Sequence, residues 1–592
     1  MASGDLVTRV YANFRGVDFR GDEINLARSP DSKNMWKDYR EIDSIRTRPE
    51  MRQKCSFDES VNGTWNGKTV HGIYFYKAGE SDIMIVHVGS KLYKVDGAMT
   101  EVLHDGVAST KSNAFVYNNV WYFMDGYNYL RYDGSTIKDV EGYVPTTSVE
   151  RKPSGGGELH EDVNLLTDYR INTFIGDGES TVFHLDVKEL KHITVEVWIN
   201  DEKLPMSDEG VIVSDIYEVK VDKSKATVTI KKIKTQSDGK YGPPAPKTPG
   251  QGNVKIKFEA EPEKDDPKSM ILNCTLIELF DNRVFFSGNP DYPNVIWHSS
   301  LNNPAYCSDL DYYNEGLDTA AVKGMVAGNN ALWVFKEASQ ANTTIFYHTP
   351  TIDSEYGKIY PNTHSSISVG CVGKAINFND DIVFFSNRGM EGISGDIATE
   401  QVIAHRSSLV DRKLLAEENY SDMILEEWEG YLLVIIGNRV YLADSRAVFT
   451  NEDHFEYEWF YWELPHEITC AKTEKGILYL GTTDGLYILN DNESKVEGYW
   501  TTPKDKFKHP HYVKTTNKRG CVVEATGDIA LYAKTDKTEF ELIDTYECVT
   551  DHFVGRIKRK KFKDIQLKFY SATRFSLETA TLECFVGGYV KR

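Results

Sequence analysis

The chain has little proline and no long apolar run. It carries only 19 proline residues among 592, which argues against a collagen-like rod or a proline-rich disordered chain. No apolar stretch approaches the roughly 18 to 20 residues that a membrane-spanning helix needs. The N-terminal stretch MASGDLVTRVYANFRG lacks the apolar segment of a secretory signal. We therefore expect a protein that is made in soluble form in the cytosol.

Clustered cysteine and an excess of basic charge are also missing. The eight cysteines stand far apart and include no Cys-x-x-Cys pair, so buried reduced thiols are favoured over a zinc site or a disulfide scaffold. The chain has 68 basic and 89 acidic residues, which gives a formal net charge of −21. Proteins that grip nucleic acid through its phosphates are usually basic. Solubility explains the acidity, and an acidic wall along which DNA slides is a second interpretation that requires a channel.

Sequence motifs of catalysis and of nucleotide binding are absent. The chain contains no G-x-x-x-x-G-K-[ST], no G-x-S-x-G and no H-E-x-x-H, so a phosphate cradle, a serine nucleophile and a zinc protease are not indicated. Three short patterns look like fragments of metal sites but have too few ligands: His509-Pro510-His511, Gly176-Asp177-Gly178 and Asp491-Asn492-Glu493. We predict that the protein is not an enzyme and holds no cofactor or metal.

The chain does contain a repeated unit, in which an apolar strand, a short polar turn and a second apolar or aromatic strand precede another turn and strand. The turns lie near residues 80, 119, 282, 329, 380, 429 and 475. Apart from one longer gap they are separated by roughly 40 to 50 residues, the length of a four-stranded propeller blade. Asn, Asp and Gly supply the positive φ that tight hairpins need. We predict an all-β fold with a roughly seven-bladed β-propeller; unrelated hairpins in a β-sandwich are the alternative.

The longer gap and the C-terminal end of the repeat define the domains. Residues 148–268 alternate apolar and polar positions with a period of two, which indicates an inserted β-sandwich of half-exposed antiparallel strands. After Trp500 the repeat stops and short alternating strands continue. We therefore divide the chain into an N-terminal segment (1–60), first blades (61–147), the insert (148–268), further blades (269–497) and a C-terminal β-region (498–592). One C-terminal strand is a candidate for closing the propeller ring, and residues 411–424 are the best candidate helix.

Two stretches stand out as candidate surfaces. A basic run extends from Arg556 to Lys563 on this acidic chain, and its centre is the predicted subunit interface, formed by Lys558, Arg559, Lys560 and Lys561. A charged edge strand that prevents aberrant pairing explains the run structurally, and contact with DNA is a third interpretation. The aromatic run from Phe455 to Trp462 is typical of a blade core, with a sugar-binding platform or a subunit interface as the alternatives.

Three further stretches resemble bacteriophage tail and neck proteins. The first places Phe14, Gly16 and Asp18 before a Ser-Pro-Asp segment at 29–31 with Asn-Met at 34–35, and ends at an Arg-Pro step at 48–49. The second is FIGDGESTVFHL at 174–185 with VEVWINDEKL at 195–204, and the third is YWTTPKDKFKHPHYVKTTNKRGCVVEA at 499–525. Together they are similar to the tail nozzle or tail hub proteins of short-tailed phages.

This resemblance implies a structural virion protein of the viral tail. Such a protein is expected to form a ring, most simply a hexamer, that extends the neck and conducts DNA during ejection. The implied partners are further copies of the chain, a neck or adaptor protein, and tail fibres or plug proteins. Phage DNA would come only transiently and non-specifically close, and no membrane insertion is expected. The alternatives are a receptor- or glycan-binding module at the tail tip that uses Trp459 and Trp462, or a propeller glycan hydrolase.

Overall fold

The computed structural model describes most of the chain, and strands dominate it. The described residues are 5–21, 25–41, 44–55, 69–79, 81–97, 99–205, 212–213, 217–232, 253–262, 266–317, 319–338, 343–354, 357–364, 368–394, 402–451, 454–490, 495–557 and 561–589. Among them the α-helices are the four-residue segments Ser269–Leu272 and Asp411–Leu414. Two 3₁₀ turns span Lys223–Lys225 and Tyr420–Asp422. No described helix is long and apolar enough to cross a bilayer.

Six four-stranded sheets, together with four strands at one end of a 15-stranded sheet, form the seven blades of the predicted propeller. Blade 1 comprises Val70–Ala78, Ser81–Val88, Lys91–Asp96 and Met99–Asp105. Blade 2 comprises Asn113–Tyr117, Val120–Met124, Tyr129–Tyr132 and Ile137–Asp139. Blade 3 comprises Leu276–Phe280, Arg283–Ser287, Val295–His298 and Tyr312–Asn314. Blade 4 comprises Val322–Gly328, Ala331–Lys336, Ile345–His348 and Asn362–His364, with the hairpin Thr351–Asp353 and Gly357–Ile359 before its last strand.

The remaining blades follow the same pattern. Blade 5 comprises Cys371–Phe378, Asp381–Ser386, Gly389–Ser394 and Val402–His405. Blade 6 comprises Ile424–Trp428, Tyr431–Ile436, Arg439–Asn451 and His454–Glu463. Blade 7 comprises Ile468–Glu474, Ile477–Thr482 and Leu486–Asn490, and takes its fourth strand from Glu50–Cys55. The all-β propeller fold predicted from the repeat is confirmed. The strand that completes the last blade, however, comes from the N-terminal segment and not from the C-terminal region.

The predicted turns lie between the first and second strands of the blades. Asn118 and Asn119 both have positive φ, and so do the corresponding pairs Asp281-Asn282, Asn329-Asn330 and Asn379-Asp380. Two successive residues with positive φ define the hairpin turn whose twist matches that of the flanking strands. The turn chemistry read from the sequence therefore sets the register of these blades.

The chain divides into two compact units. The first contains residues 1–112, 323–349 and 363–592, and with them blades 1, 5, 6 and 7, most of blade 4 and the C-terminal region. The second contains residues 113–322 and 350–362, with blades 2 and 3 and the insert. Blades 2 and 3 share one apolar core, to which Tyr122, Met124, Phe286 and Trp297 contribute.

The insert consists of two facing sheets in the second unit. The larger one orders Glu158–Leu159, Thr146–Arg151, Tyr169–Phe174, Val254–Glu259, Glu196–Ile199 and Glu202–Lys203. The smaller one orders Val182–His184, Thr227–Lys232, Tyr217–Asp222 and Ile212–Val213. Phe174, Phe183 and Val197 belong to the apolar core of the insert, because alternate side chains of each strand face inward.

The C-terminal region is built around one very long strand, Tyr512–Thr535. Thr538–Val549, His552–Gly555 and Lys561–Phe562 pair along one side of it, and Ile565–Ser571 and Phe575–Tyr589 pair along the other. Two strands of the N-terminal segment, Ile45–Thr47 and Met35–Trp36, join this sheet to blade 6. Asp5–Tyr11 pairs with Phe575–Tyr589, and Ser32–Lys33 pairs with Gly498–Thr501 beside Ile565–Ser571. Gly16–Val17 and Arg28–Ser29 form a separate parallel pair.

Candidate functional site

The predicted subunit interface lies on the C-terminal region. Lys558, Arg559 and Lys560 fall outside the described residues, whereas Lys561 is exposed and begins the short strand Lys561–Phe562. That strand pairs with Lys514 and Thr515. The neighbouring Arg556 and Lys563 are exposed as well. The described part of the run therefore presents basic side chains to solvent.

The opposite end of the same sheet edge is acidic. The strand Thr538–Val549 has the sequence TEFELIDTYECV, with four acidic residues and no basic one. Glu539, Glu541, Asp544 and Glu547 are all exposed. This strand and the strand at Lys561 pair with the same side of Tyr512–Thr535, since Phe575–Tyr589 occupies the other side. In the described chain no further strand pairs with the outer side of either, so the edge is open and carries opposite charges at its two ends.

One face of this sheet is also open to solvent. Val10 lies opposite Thr581, Thr581 opposite Val522, and Val522 opposite Val554, so the four residues form a row across adjacent strands. The three valines are 51%, 37% and 42% exposed, whereas the alternate position Tyr11 is fully buried. Three exposed valines therefore lie on the face of the sheet beside the charged edge.

Residues from the first and third of the stretches that resemble phage proteins meet where the N-terminal segment contacts the segment after the last blade, and we call this contact the clasp. The second stretch lies in the insert. The ring of Phe14 packs edge-on against Trp500, with centroids 5.2 Å apart. The Ser29 hydroxyl donates a hydrogen bond of 2.7 Å to the carbonyl oxygen of Thr501. The side-chain oxygen of Asn34 accepts a hydrogen bond of 2.8 Å from the backbone N–H of Glu463. These motif residues therefore have an architectural role.

A buried ion pair connects the clasp to blade 6. The guanidinium of Arg28 donates two hydrogen bonds of 2.8 Å to the carboxylate of Glu458, and both side chains are buried. Gly16 lies against the backbone of Trp459, where an added Cβ would come within 2.1 Å of the carbonyl oxygen. The close approach explains why the motif needs glycine at this position.

The aromatic run belongs to the core of blade 6. Trp459 is fully buried and Trp462 is 1% exposed, and the indole N–H of Trp462 donates to the carbonyl oxygen of Met35 at 3.2 Å. The favoured interpretation, a blade core, is confirmed for Trp459 and Trp462, and the alternative in which these two residues form an exposed glycan platform is wrong. The N-terminal segment covers this strand, which would otherwise form the outer edge of its blade.

A cavity of about 430 Å³ lies where the first strands of blades 1, 6 and 7 begin. We call it the inner-strand cavity. Its charged lining residues are Lys111, Asp422 and Glu467, which are solvent-exposed, and Val70, Ile424 and Ile468 form part of its apolar wall. These residues come from separate loops and strands of the first unit, so no contiguous motif marks the cavity in the sequence.

Lys374 lies close to this cluster on the first strand of blade 5. Its side chain is exposed to solvent, yet burial among the surrounding atoms lowers its pKa, the nearby Lys111 lowers it further, and Asp422 partly counteracts both. His71, on the wall of the same cavity, also has a lowered pKa because of burial, and its Nε2 lies 3.0 Å from the Ser109 hydroxyl.

A second titratable cluster lies at the end of blade 5. The ring of His405 is held between two carboxylates, with Nε2 2.6 Å from an oxygen of Asp411 and Nδ1 3.3 Å from one of Glu391. Ser407 donates to the other oxygen of Asp411 at 2.6 Å. Burial alone would lower the pKa of His405, but the hydrogen bonds to Asp411 and Glu391 outweigh it and raise the pKa to about 10. The arrangement holds a charged imidazolium and has the character of a structural ion cluster.

Two of the short patterns considered as metal fragments can be placed. Asp177 accepts hydrogen bonds from the backbone N–H groups of Glu179 and Ser180 and from the Ser180 hydroxyl, so it caps a turn. His509 and His511 lie in the segment before Tyr512–Thr535. Asp491-Asn492-Glu493 lies outside the described residues. Among the described residues no group of three or more His, Cys, Asp or Glu side chains is arranged to hold a metal ion.

No protein-family model matches the chain, and no curated protein is significantly similar to it. Several solved structures are weakly similar to it. The computationally designed Ika8 protein is 10% identical over 74% of this chain and 100% of its own, with a TM-score of 0.30. BamB from Moraxella catarrhalis is 9% identical over 74% of this chain and 96% of its own, with a TM-score of 0.32. The SapL1 lectin in complex with alpha methyl fucoside is 11% identical over 57% of this chain and 95% of its own, with a TM-score of 0.15. Similarity at this level assigns no function to the chain.

Proposed function

We propose that the chain is a structural subunit of a bacteriophage tail, of the nozzle or hub type, which associates with further copies of itself into a ring. The observation that carries this proposal is the open edge of the C-terminal sheet, with acidic residues at one end and basic residues at the other. In the ring, which we expect to contain six copies, the acidic strand Thr538–Val549 of one copy lies against Lys561 and Lys563 of the next.

The charge distribution favours such a head-to-tail contact. At a net charge of −21, copies of the chain repel one another at long range. A local basic patch that meets an acidic strand offsets this repulsion and selects one orientation, because complementary charges steer encounter and fix register. A contact between two different surface patches repeats from copy to copy and closes into a ring when the rotation permits.

The remaining features suit a rigid scaffold. The clasp ties the N-terminal segment to blade 6 and to the C-terminal sheet through buried hydrogen bonds and the Arg28–Glu458 ion pair. In the proposed tail the ring extends the neck, docks on an adaptor protein and holds fibres or a plug. DNA passes through the lumen between the copies, where a strongly acidic chain offers phosphates few binding sites.

A charge exchange tests the proposal. One variant carries Glu541→Lys and Glu547→Lys, a second carries Lys561→Glu and Lys563→Glu, and a third combines all four. The molar mass of each is measured by light scattering after size exclusion, at low and at high salt. Each double variant is expected to remain monomeric, because the first neutralises the acidic strand and the second places acidic residues opposite it. The combined variant is expected to assemble again.

The matched control exchanges charges on the insert, with Glu218→Lys and Lys220→Glu, both exposed. This control should assemble like the unmodified chain, and assembly should weaken at high salt because exposed charges are screened. A chain that stays monomeric under all conditions, or double variants that assemble normally, would contradict the proposal.

A further inference from the structure

One arginine of the insert lacks the partners that the other arginines of the chain have. Arg170 lies on the strand Tyr169–Phe174 and is half-buried, and its Nε atom is buried without a hydrogen-bond partner. Every other arginine whose side chain the structure describes is either exposed or bonded to a protein group. Buried donors without an acceptor are rare in folded proteins, and each one requires an explanation.

Arg170 lines a cavity of about 300 Å³ within the second unit, which we call the insert cavity. Asp168 and Asp309 are the other charged residues of its lining. The backbone N–H of Asp309 donates to the carbonyl oxygen of Val163 at 2.9 Å, and that of Ala260 donates to the carbonyl oxygen of Asp168 at 2.9 Å. These hydrogen bonds fix the backbone at both acidic residues. The volume lies at the lower end of the roughly 300 to 1,000 Å³ of small-molecule sites, which suits a small ligand.

The charges of this lining favour a ligand that carries both signs. The Nζ atom of Lys191 lies 2.7 Å from a carboxylate oxygen of Asp168 and compensates its charge. The lining then presents one guanidinium, that of Arg170, and one further carboxylate, that of Asp309. A simple anion would be repelled by Asp309, and a simple cation would be repelled by Arg170. A zwitterion can bind to both groups at the same time.

We propose that the insert cavity binds a free α-amino acid with an apolar side chain. The carboxylate of the ligand accepts hydrogen bonds from the terminal N–H groups of Arg170, since a guanidinium matches a carboxylate with two parallel donors. The ammonium group of the ligand donates to the carboxylate of Asp309. The ligand side chain packs against the apolar part of the lining, which consists of Val163, Leu165, Ala260, Pro262 and Pro267. This site goes beyond the proposed ring and does not depend on it.

The two charges of the ligand distinguish a free amino acid from the end of a peptide. A peptide C-terminus carries the carboxylate beside a neutral amide, and a peptide N-terminus carries the ammonium group beside a neutral carbonyl. Only a free amino acid presents both charges on one carbon atom. Two derivatives of leucine reproduce the difference, because N-acetyl-L-leucine lacks the ammonium charge and L-leucinamide lacks the carboxylate.

Calorimetric titration of the full chain with L-leucine tests the proposal, with these two derivatives as matched probes. We expect saturable binding of L-leucine and binding of each derivative that is at least about tenfold weaker, equivalent to about 1.4 kcal/mol. Arg170→Met and Asp309→Asn should each weaken the binding of L-leucine about tenfold. The control Arg131→Met, at an exposed arginine of blade 2 in the same unit, should leave it unchanged.

Thermal unfolding provides the second readout. In the absence of ligand Arg170→Met should melt close to the unmodified chain, because the substitution breaks no hydrogen bond within the protein. Saturating L-leucine should raise the melting temperature of the unmodified chain but not that of Arg170→Met.

Absence of saturable L-leucine binding would overturn the proposal. Binding of either derivative as tightly as L-leucine would overturn it too, since one of the two charges would then not be recognised. Binding of L-leucine that survives both Arg170→Met and Asp309→Asn would place the ligand elsewhere and would also overturn the proposal. A ring that fails to form would leave each of these results unaffected.

Discussion

His405 makes the stability of blade 5 depend on pH in a defined direction. Its imidazolium lies between Asp411 and Glu391, and these contacts raise its pKa from 6.5 to about 10. The folded chain therefore holds a proton that the unfolded chain releases above about pH 6.5. The resulting stabilisation is fully present below that pH, declines as the pH rises and is lost above about pH 10.

The structure sets the size of the effect. One pKa unit corresponds to about 1.36 kcal/mol, so the raised pKa of His405 corresponds to at most about 5 kcal/mol. Because 31% of the His405 side chain is exposed, solvent screens the ion cluster, and we expect about 2 kcal/mol. His405→Gln, which removes the positive charge, should destabilise blade 5 by this amount at about pH 6 and by little at about pH 10.

Hydrogen exchange measures the stability of blade 5 separately from that of the rest of the chain. A local measurement is needed because a chain with several cooperative units does not unfold in a single step. The opening free energy of peptides that cover Gly389–Ser394 and Val402–His405 is compared between the unmodified chain and His405→Gln at several pH values, after correction for intrinsic exchange rates. His552→Gln, at an exposed histidine beside Asp551, is the control and should change nothing in blade 5. A difference between His405→Gln and the unmodified chain that stays constant from about pH 6 to pH 10 would refute the reasoning.

Three further predictions concern the clasp and the thiols. Gly16→Ala should lower the free energy of unfolding by about 1 to 3 kcal/mol in urea titration, because the new methyl group collides with the carbonyl oxygen of Trp459. Glu458→Ala should cost about 3 to 5 kcal/mol in the same titration, since Arg28 would remain buried without its partner; a loss below about 1 kcal/mol would contradict this. Cys548 is exposed, whereas the other cysteines are buried or half-buried, so native alkylation followed by mass spectrometry should modify Cys548 first.

The blades were predictable from the sequence because each one is specified locally. The pairs Asn118-Asn119 and Asn329-Asn330 adopt the positive φ that hairpin turns require, and apolar strands flank them on both sides. Such a turn and its flanking strands involve only neighbouring residues, so they can be recognised without knowledge of the rest of the chain. The helix predicted at 411–424 is only partly present in the structure. The chain is α-helical at Asp411–Leu414 and forms a 3₁₀ turn at Tyr420–Asp422.

The long-range features were not predictable in this way. Glu50–Cys55 pairs with Leu486–Asn490 across more than four hundred positions of sequence, and nothing in its composition distinguishes it from a strand of blade 1. Burial of Trp459 depends on the N-terminal segment that covers it. The inner-strand cavity collects Lys111 and Asp422 from distant loops. Such pairings are fixed by tertiary packing, which overrides local pattern.

Imaging of the assembled protein by electron cryomicroscopy tests the central claim most directly. We predict a closed ring in which Thr538–Val549 of each copy lies against Lys561 and Lys563 of the next, and the same ring in the tail of the virus particle. Isolated copies at every concentration, or a ring held together by the insert with the C-terminal edge free, would contradict the account.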